Sequence, residues 1–326
     1  MNSPAHSDNP ADRLFSVADY TRSFGADLRL RRRALRGEFH RVSRGHYFPQ
    51  GQWDTFRNEE RYAVVVVAAA AARRSELVLS HQSAAVLHGL PFLFGPPAEV
   101  HFIVPRAAGG RSKPGIRKHA VHFDPRDITL VNGLLVTTVA RTVVDLAAAL
   151  DLQSAVVVAD RALSADRRGH RPALATKAEL YETWARMLPF RGSVRAKAVI
   201  DFATHLAGSP NESASRVNIA LSGFPEPVLQ HPFIVDGAEV FVDFCFPDQH
   251  KVGETDGKVK YFDPVMRDGR TPEQVLWAEK LREDGVRRQV HGFTRWPFSV
   301  SVSKVRLRTR LVEFGLPITR PTLRSW

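Results

Sequence analysis

Residues 240–246 read Val-Phe-Val-Asp-Phe-Cys-Phe, an apolar run broken by one carboxylate, Asp243. Burying an unpaired charge is strongly unfavourable unless a cation or hydrogen bonds compensate, so Asp243 is the first candidate for chemistry. Eleven positions later stands Glu254, followed by Asp256, Lys258 and Lys260. Glu254 and Asp256 are two apart and share one side of a strand. If the two strands pair, Asp243, Glu254 and Asp256 converge, and a divalent cation relieves their mutual repulsion. A ligand set of oxygens alone suits Mg2+ or Mn2+. Such an ion generates a nucleophilic water and stabilises charge on a phosphate, while Lys258, with Lys260 in reserve, holds the water or the phosphate. These are the parts of metal-dependent phosphodiester hydrolysis. The plainer reading has Asp243 bonding a neighbouring backbone group, and Glu254 and Asp256 pairing with Lys258, Lys260 or Arg282.

The elements that must position these groups are readable. Residues 211–221 form a helix with Glu212 in its first turn. Strands over residues 231–235 and 239–246 are joined by Asp236 and Gly237, the dipeptide that tight hairpins prefer. A third strand covers residues 251–256. Cys245, beside Asp243, faces the other side of its strand and reads as core, and Trp277 and Trp296 read as packing residues.

The segments SPNESASRVNIALSGFPEP, VDFCFPD and GETDGKVKY resemble the PD-(D/E)XK restriction-endonuclease-like superfamily, closest to its branch related to very-short-patch repair endonucleases. EKLRED at residues 279–284 and TRW at residues 294–296 are similar to that branch's closing helix and strand. The resemblance covers about residues 208–300. It implies that Asp243 is the first metal ligand, Glu254 the acid of the half-motif and Glu212 the supporting helix carboxylate. Asp256 stands where that motif places lysine, so Lys258 or Lys260 would have to supply the catalytic amine.

The N-terminal part carries a different signal. A helix is expected over residues 14–24, ended by Gly25, and a second over residues 28–36, capped by Asp27 and ended by Gly37. Short strands follow at residues 39–42 and 46–48, the outline of a winged helix-turn-helix. Residues 29–44 hold seven arginines (Arg29, Arg31, Arg32, Arg33, Arg36, Arg41 and Arg44) against one acid, Glu38. Arg29, Arg32, Arg33 and Arg36 share a helix face, read here as facing DNA rather than as a solvated surface.

Residues 58–90 look helical, with a short extended piece at residues 76–79. Strands are expected at residues 99–104, 120–123 and 134–137, and amphipathic helices at residues 139–150 and 152–163. His81, His88, His101, His119 and His122 are scattered without an i, i+4 ligand spacing and read as structural. SHQSAAVLHGLPF, VHFIVP and TTVARTVVDLAAAL resemble the AbiEi family of type IV antitoxin-like proteins over about residues 13–163. That resemblance implies DNA binding by the arginine-rich N-terminal unit without catalysis, and it allows a partner toxin.

The chain has 46 Lys and Arg against 34 Asp and Glu, a formal net charge of +12. This excess suits polyanionic partners, though arginine-rich surfaces also occur without a ligand. A single cysteine excludes an internal disulfide and a cysteine-based zinc cluster. The longest apolar run, residues 63–72, is too short for a membrane span, and no basic segment leads an apolar one at the N-terminus, so a cytoplasmic protein is expected. The expected fold is a multidomain α+β and α/β chain. It comprises a winged helix-turn-helix (12–50), an AbiEi-like α+β domain (51–163), linker and helices (164–207) and a restriction-endonuclease-like α/β domain (208–315). The expected function is double-stranded DNA binding with possible metal-dependent cleavage, the alternative being a non-catalytic regulator with a degenerate nuclease fold.

Overall fold

The arginine-rich stretch does form a helix and a hairpin. In the computed structural model, which describes residues 15–16, 27–73, 77–109, 111–165, 171–256 and 271–321, helix α1 (Asp27–Leu35) ends at Gly37. Gly37 adopts φ 78°, a left-handed conformation that lets the amides of Gly37 and Glu38 close onto the carbonyls of Ala34 and Arg33. Strands β2 (Phe39–Ser43) and β3 (His46–Pro49) pair antiparallel. Strand β1 (Phe15–Ser16) adds to β3, so these two residues are extended rather than helical as the sequence pattern suggests. The remainder of the expected first helix lies outside the described residues. Leu30, Phe39 and Tyr47 form the small core that fastens α1 to this sheet.

Two short-linked helices follow, α2 (Gln50–Thr55) and α3 (Asn58–Ala71). The alanine-valine run becomes the buried face of α3, with Val64, Val66 and Ala68 fully enclosed. Strand β4 (Val78–Leu79) leads into helix α4 (His81–Leu87), and strands β5 (Val100–Val104), β6 (Ile116–Ala120), β7 (Ile128–Val131) and β8 (Leu134–Thr137) complete a mixed sheet ordered β6-β5-β4-β8-β7. Strand β6 begins earlier than the expected piece at residues 120–123. Its IRKHA sequence has no apolar alternation and is held by parallel pairing with β5. Helix α5 (Val139–Ala149) packs its Val143, Val144 and Leu146 inward.

The chain divides into two compact units, residues 1–149 with 175–197, and residues 150–174 with 198–326. This division differs from the boundary expected at residues 163–164. Helix α6 (Leu152–Leu163) belongs with the second unit, and helix α7 (Lys177–Met187) with the first. Helix α8 (Ser193–Phe202) runs across the boundary at residue 197. Among the described residues no helix is long and apolar enough to cross a membrane.

In the second unit, α9 (Pro210–Leu221) is followed by an antiparallel meander of β9 (Val228–Val235), β10 (Ala238–Phe246) and β11 (Lys251–Asp256). The β9–β10 turn is Asp236 and Gly237, both with positive φ as a type I′ turn requires. Helix α10 (Pro272–Arg287) then leads to β12 (Gly292–Pro297), parallel to β11, and α11 (Phe298–Ser301) and α12 (Lys304–Glu313) end the unit. The sheet carries two apolar layers. Phe244, Phe246 and Trp296 pack with Ile219, Leu307 and Leu311, whereas Val242, Cys245, Val252 and Phe293 pack with Val286. Trp296 is fully buried and donates to Ser215 Oγ at 2.9 Å, and Gly253 is small because a Cβ there would lie 2.5 Å from the indole. Trp277, by contrast, is 61% exposed on α10 and is not a core residue.

Candidate functional site: two buried polar clusters

Each unit buries groups of ionisable side chains. In the second unit, Asp243 and Glu254 occupy neighbouring strands. The β10–β11 register ends with Phe244 opposite Gly253, one step before them. Their carboxylates have different partners. Asp243 Oδ2 accepts from the backbone amide of Thr255 at 2.8 Å and from its hydroxyl at 2.9 Å. Glu254, 6% exposed, accepts through Oε2 from Arg282 Nη2 at 2.8 Å and Arg295 Nη2 at 2.7 Å. The same two nitrogens also reach Glu279 Oε1, at 2.7 and 2.6 Å. Glu283 lies 3.1 Å from Arg295 and 2.7 Å from Arg287, so three acids face three arginines. Burial opposes the charged form of Glu279, yet hydrogen bonds and the fields of Arg282 and Arg295 hold its carboxyl down at about 2. Burial likewise works against the Arg282 cation, and Glu279 and Glu254 more than offset it.

The other acidic candidates are placed as follows. Asp256 is exposed at the end of β11. Glu212 is buried at the start of α9, where Ser209 caps the helix. It accepts from the Gly208 amide at 2.8 Å, the Ser209 hydroxyl at 2.8 Å and Gln230 Nε2 at 3.0 Å, which is the work of a helix-capping acid. Gln230 sits beside the His231–Val242 and Leu229–Phe244 pairs, facing the Asp243 position. Lys258 and Lys260 lie outside the described residues. As arranged, Glu254 is not a free ligand for a hard dication, because Arg282 and Arg295 already neutralise it.

Another group in the second unit, Asp160 of α6 with Arg216 of α9, joins helices. Asp160 accepts two hydrogen bonds of 3.0 Å from Arg216 and one of 2.8 Å from the Thr204 amide.

The first unit holds a cluster that sequence spacing does not reveal. His81 opens α4, His101 lies on β5 and His119 on β6, and one ligand atom from each lies within 4.8 Å of the others. Among the described residues this is the group of three that could hold a metal ion. Parallel pairing of β5 with β6 sets His119 opposite Ile103, two residues from His101. His101 Nδ1 and His119 Nε2 are 3.0 Å apart, and the His81 and His119 rings stack at 3.7 Å. The backbone of His101 is fixed as well: its amide donates to Ser83 Oγ at 2.8 Å, and its carbonyl accepts from the Ser80 amide at 3.0 Å. Burial, reinforced by Arg141 and Arg117, pushes His81 down to about 3. Burial and the neighbouring histidines do the same to His101, to about 3. His119 falls to about 4 through burial and His81, with Asp145 pulling the other way. All three are therefore neutral near pH 7, the state in which imidazole binds a cation.

Behind the cluster, Arg141, 1% exposed, bonds Asp145 at 3.0 Å and Asp127 at 2.8 Å, and Asp127 also accepts from Arg186 of α7.

The N-terminal arginines are placed on α1 and the hairpin. Arg32, Arg36, Arg41 and Arg44 are exposed. Arg33 is half-buried, bonds Glu38 at 2.6 Å and lies over the Phe39 ring, so it serves the fold of the hairpin. Arg31 is exposed, and Arg29 lies on α1 with its side chain outside the described atoms.

The sequence matches no family profile. It is 32% identical over 158 residues to Uncharacterized protein MT2308 and to Uncharacterized protein Rv2248, from two strains of Mycobacterium tuberculosis. Each match covers 48% of this chain and 54% of the relative, so the chain spans about half the length of the curated relatives it matches.

Proposed function

We propose that this protein binds double-stranded DNA through the helix and hairpin of its first unit, and that its second unit is an endonuclease-like scaffold that does not cut. The observation that carries the binding reading is the set of exposed arginines, Arg32 on α1 and Arg36 just past its end with Arg41 and Arg44 on the hairpin, where the one acid of residues 29–44, Glu38, is already engaged by Arg33. Guanidinium groups presented this way exchange condensed counterions for phosphate contacts, a gain that grows as salt falls. The winged-helix outline and the net charge of +12 support the same reading. The order of helix, three antiparallel strands, helix and parallel strand in the second unit follows the order of the segments that resemble the endonuclease superfamily, which supports the scaffold assignment. Pairing of Glu254 with Arg282 and Arg295 favours the non-cutting form over hydrolysis with Mg2+ or Mn2+.

The test measures duplex affinity against salt by fluorescence anisotropy. Arg32→Ala and Arg36→Ala should each weaken binding and reduce the salt slope by about one, with the fold intact. Unchanged affinity in both would overturn the binding reading. Plasmid incubated with Mg2+ or Mn2+ should stay uncut. Nicking that disappears in Asp243→Ala and Glu254→Ala would replace the scaffold by a working nuclease.

A further inference from the structure

We propose that His81, His101 and His119 are the protein ligands of a zinc ion, in a site independent of the carboxylates of the second unit. The donor set is nitrogen only, which suits a borderline ion such as Zn2+ and not Mg2+ or Ca2+. Zn–N bonds of roughly 2.0–2.1 Å put tetrahedral ligand atoms about 3.3 Å apart. His101 Nδ1 and His119 Nε2 are 3.0 Å apart, and an ion replaces their hydrogen bond and opens the stack of His81 on His119, drawing the spread of 4.8 Å among the three to that edge.

Three further features point to a built site. The ligands come from three elements, a helix start and two strands, so the fold and not local sequence assembles them. His81 is held at φ 50°, a left-handed backbone that L-residues seldom adopt, and this residue brings its ring onto His119. The charges around the cluster are balanced before any ion arrives. Arg117 pairs with Glu99 at 3.3 Å, and Arg141 together with Arg186 answers Asp127 and Asp145. Three protein ligands leave a fourth position for water or a small anion.

The test uses the whole chain, stripped with chelator and titrated with Co2+, whose visible d–d bands report four-coordination. About one Co2+ per chain should give those bands, and Zn2+ should displace it and raise the melting temperature. His119→Gln, at the half-buried position, should lose the bands, with His81→Asn and His101→Gln as further variants, while Asp243→Ala should keep them. Loss in any variant that retains a folded circular dichroism spectrum supports the site. Absence of the bands in the unsubstituted protein overturns it whatever the variants do, as does their persistence in a folded His119→Gln.

Discussion

The histidine cluster of the first unit and the Glu254 cluster of the second are enclosed by opposite means. The first unit encloses two buried histidines and one half-buried as neutral rings, kept uncharged chiefly by desolvation, with neighbouring arginines and histidines adding to it. The second buries Glu254 as an ion and answers it with Arg282 and Arg295, which Glu279 and Glu283 answer in turn. A neutral cluster is inexpensive to bury at neutral pH but vulnerable to protons. An ionic lattice is expensive to desolvate but tolerates a wide pH range once every charge has a partner. One cluster thus has spare ligand capacity, and the other has used it up.

Acid separates the two most sharply. A histidine held below its ordinary value disfavours the folded state as pH falls, because the unfolded chain binds the proton first. In metal-free protein, stability of the first unit should therefore be full above about pH 6.5 and drop through pH 5. The loss should be smaller than three independent shifts would give, because the rings lower one another. Urea unfolding followed by hydrogen exchange in β5 and β6 at pH 7 and pH 5 checks this, and equal protection at both would show that water reaches the rings.

Removing one arginine of the lattice is the next largest change. Arg282→Met should destabilise the second unit by about 3 kcal/mol, since Glu254 and Glu279 each lose a partner while staying enclosed. A shift in the urea midpoint of less than a third of that would mean water already reaches Glu254.

The lattice has an acid limit too, and its sign is that of a depressed carboxyl. Glu279 contributes fully above its unfolded value and stops contributing as pH falls from about 4.5 toward 2, a loss of about 2–3 kcal/mol at most. The second unit should therefore outlast the first on acidification, which tyrosine and tryptophan fluorescence with exchange mapping can order. The smallest expected effect is at Arg41, exposed on the hairpin. Arg41→Ala should change the melting temperature by the equivalent of less than about 0.5 kcal/mol while weakening duplex binding.

Much of the frame was legible because its signals are local. Lys251–Asp256 and Leu152–Leu163 have the bounds that alternation and helical periodicity predict, and Asp236 with Gly237 marks the hairpin. Strand β7 (Ile128–Val131) has no clear signal in the sequence, and β6 starts ahead of the apolar piece at residues 120–123. Both lie at sheet edges, where exposure blurs alternation. The histidine cluster was hidden for a different reason. Eighteen residues separate His101 from His119, and only the parallel pairing of two strands joins them. A usable hint existed, since His101 interrupts Val-His-Phe-Ile-Val as Asp243 interrupts its own run. The same rule applied to both would have singled out both. The arginine partners of Glu254 were half legible: Arg282 was weighed as a partner, but Arg295 reaches it through the β11–β12 pairing across a long connection.

The return of residues 175–197 to the first unit carries a consequence for how the protein can be taken apart. A chain cut after Ala149 would lack α7, and with it the Arg186 side chain that completes the Asp127 site. In synthesis the first unit is incomplete until that helix has been made, after α6 of the other unit. Neither half is a contiguous stretch of gene, so expression of fragments would yield two incomplete bodies rather than two modules.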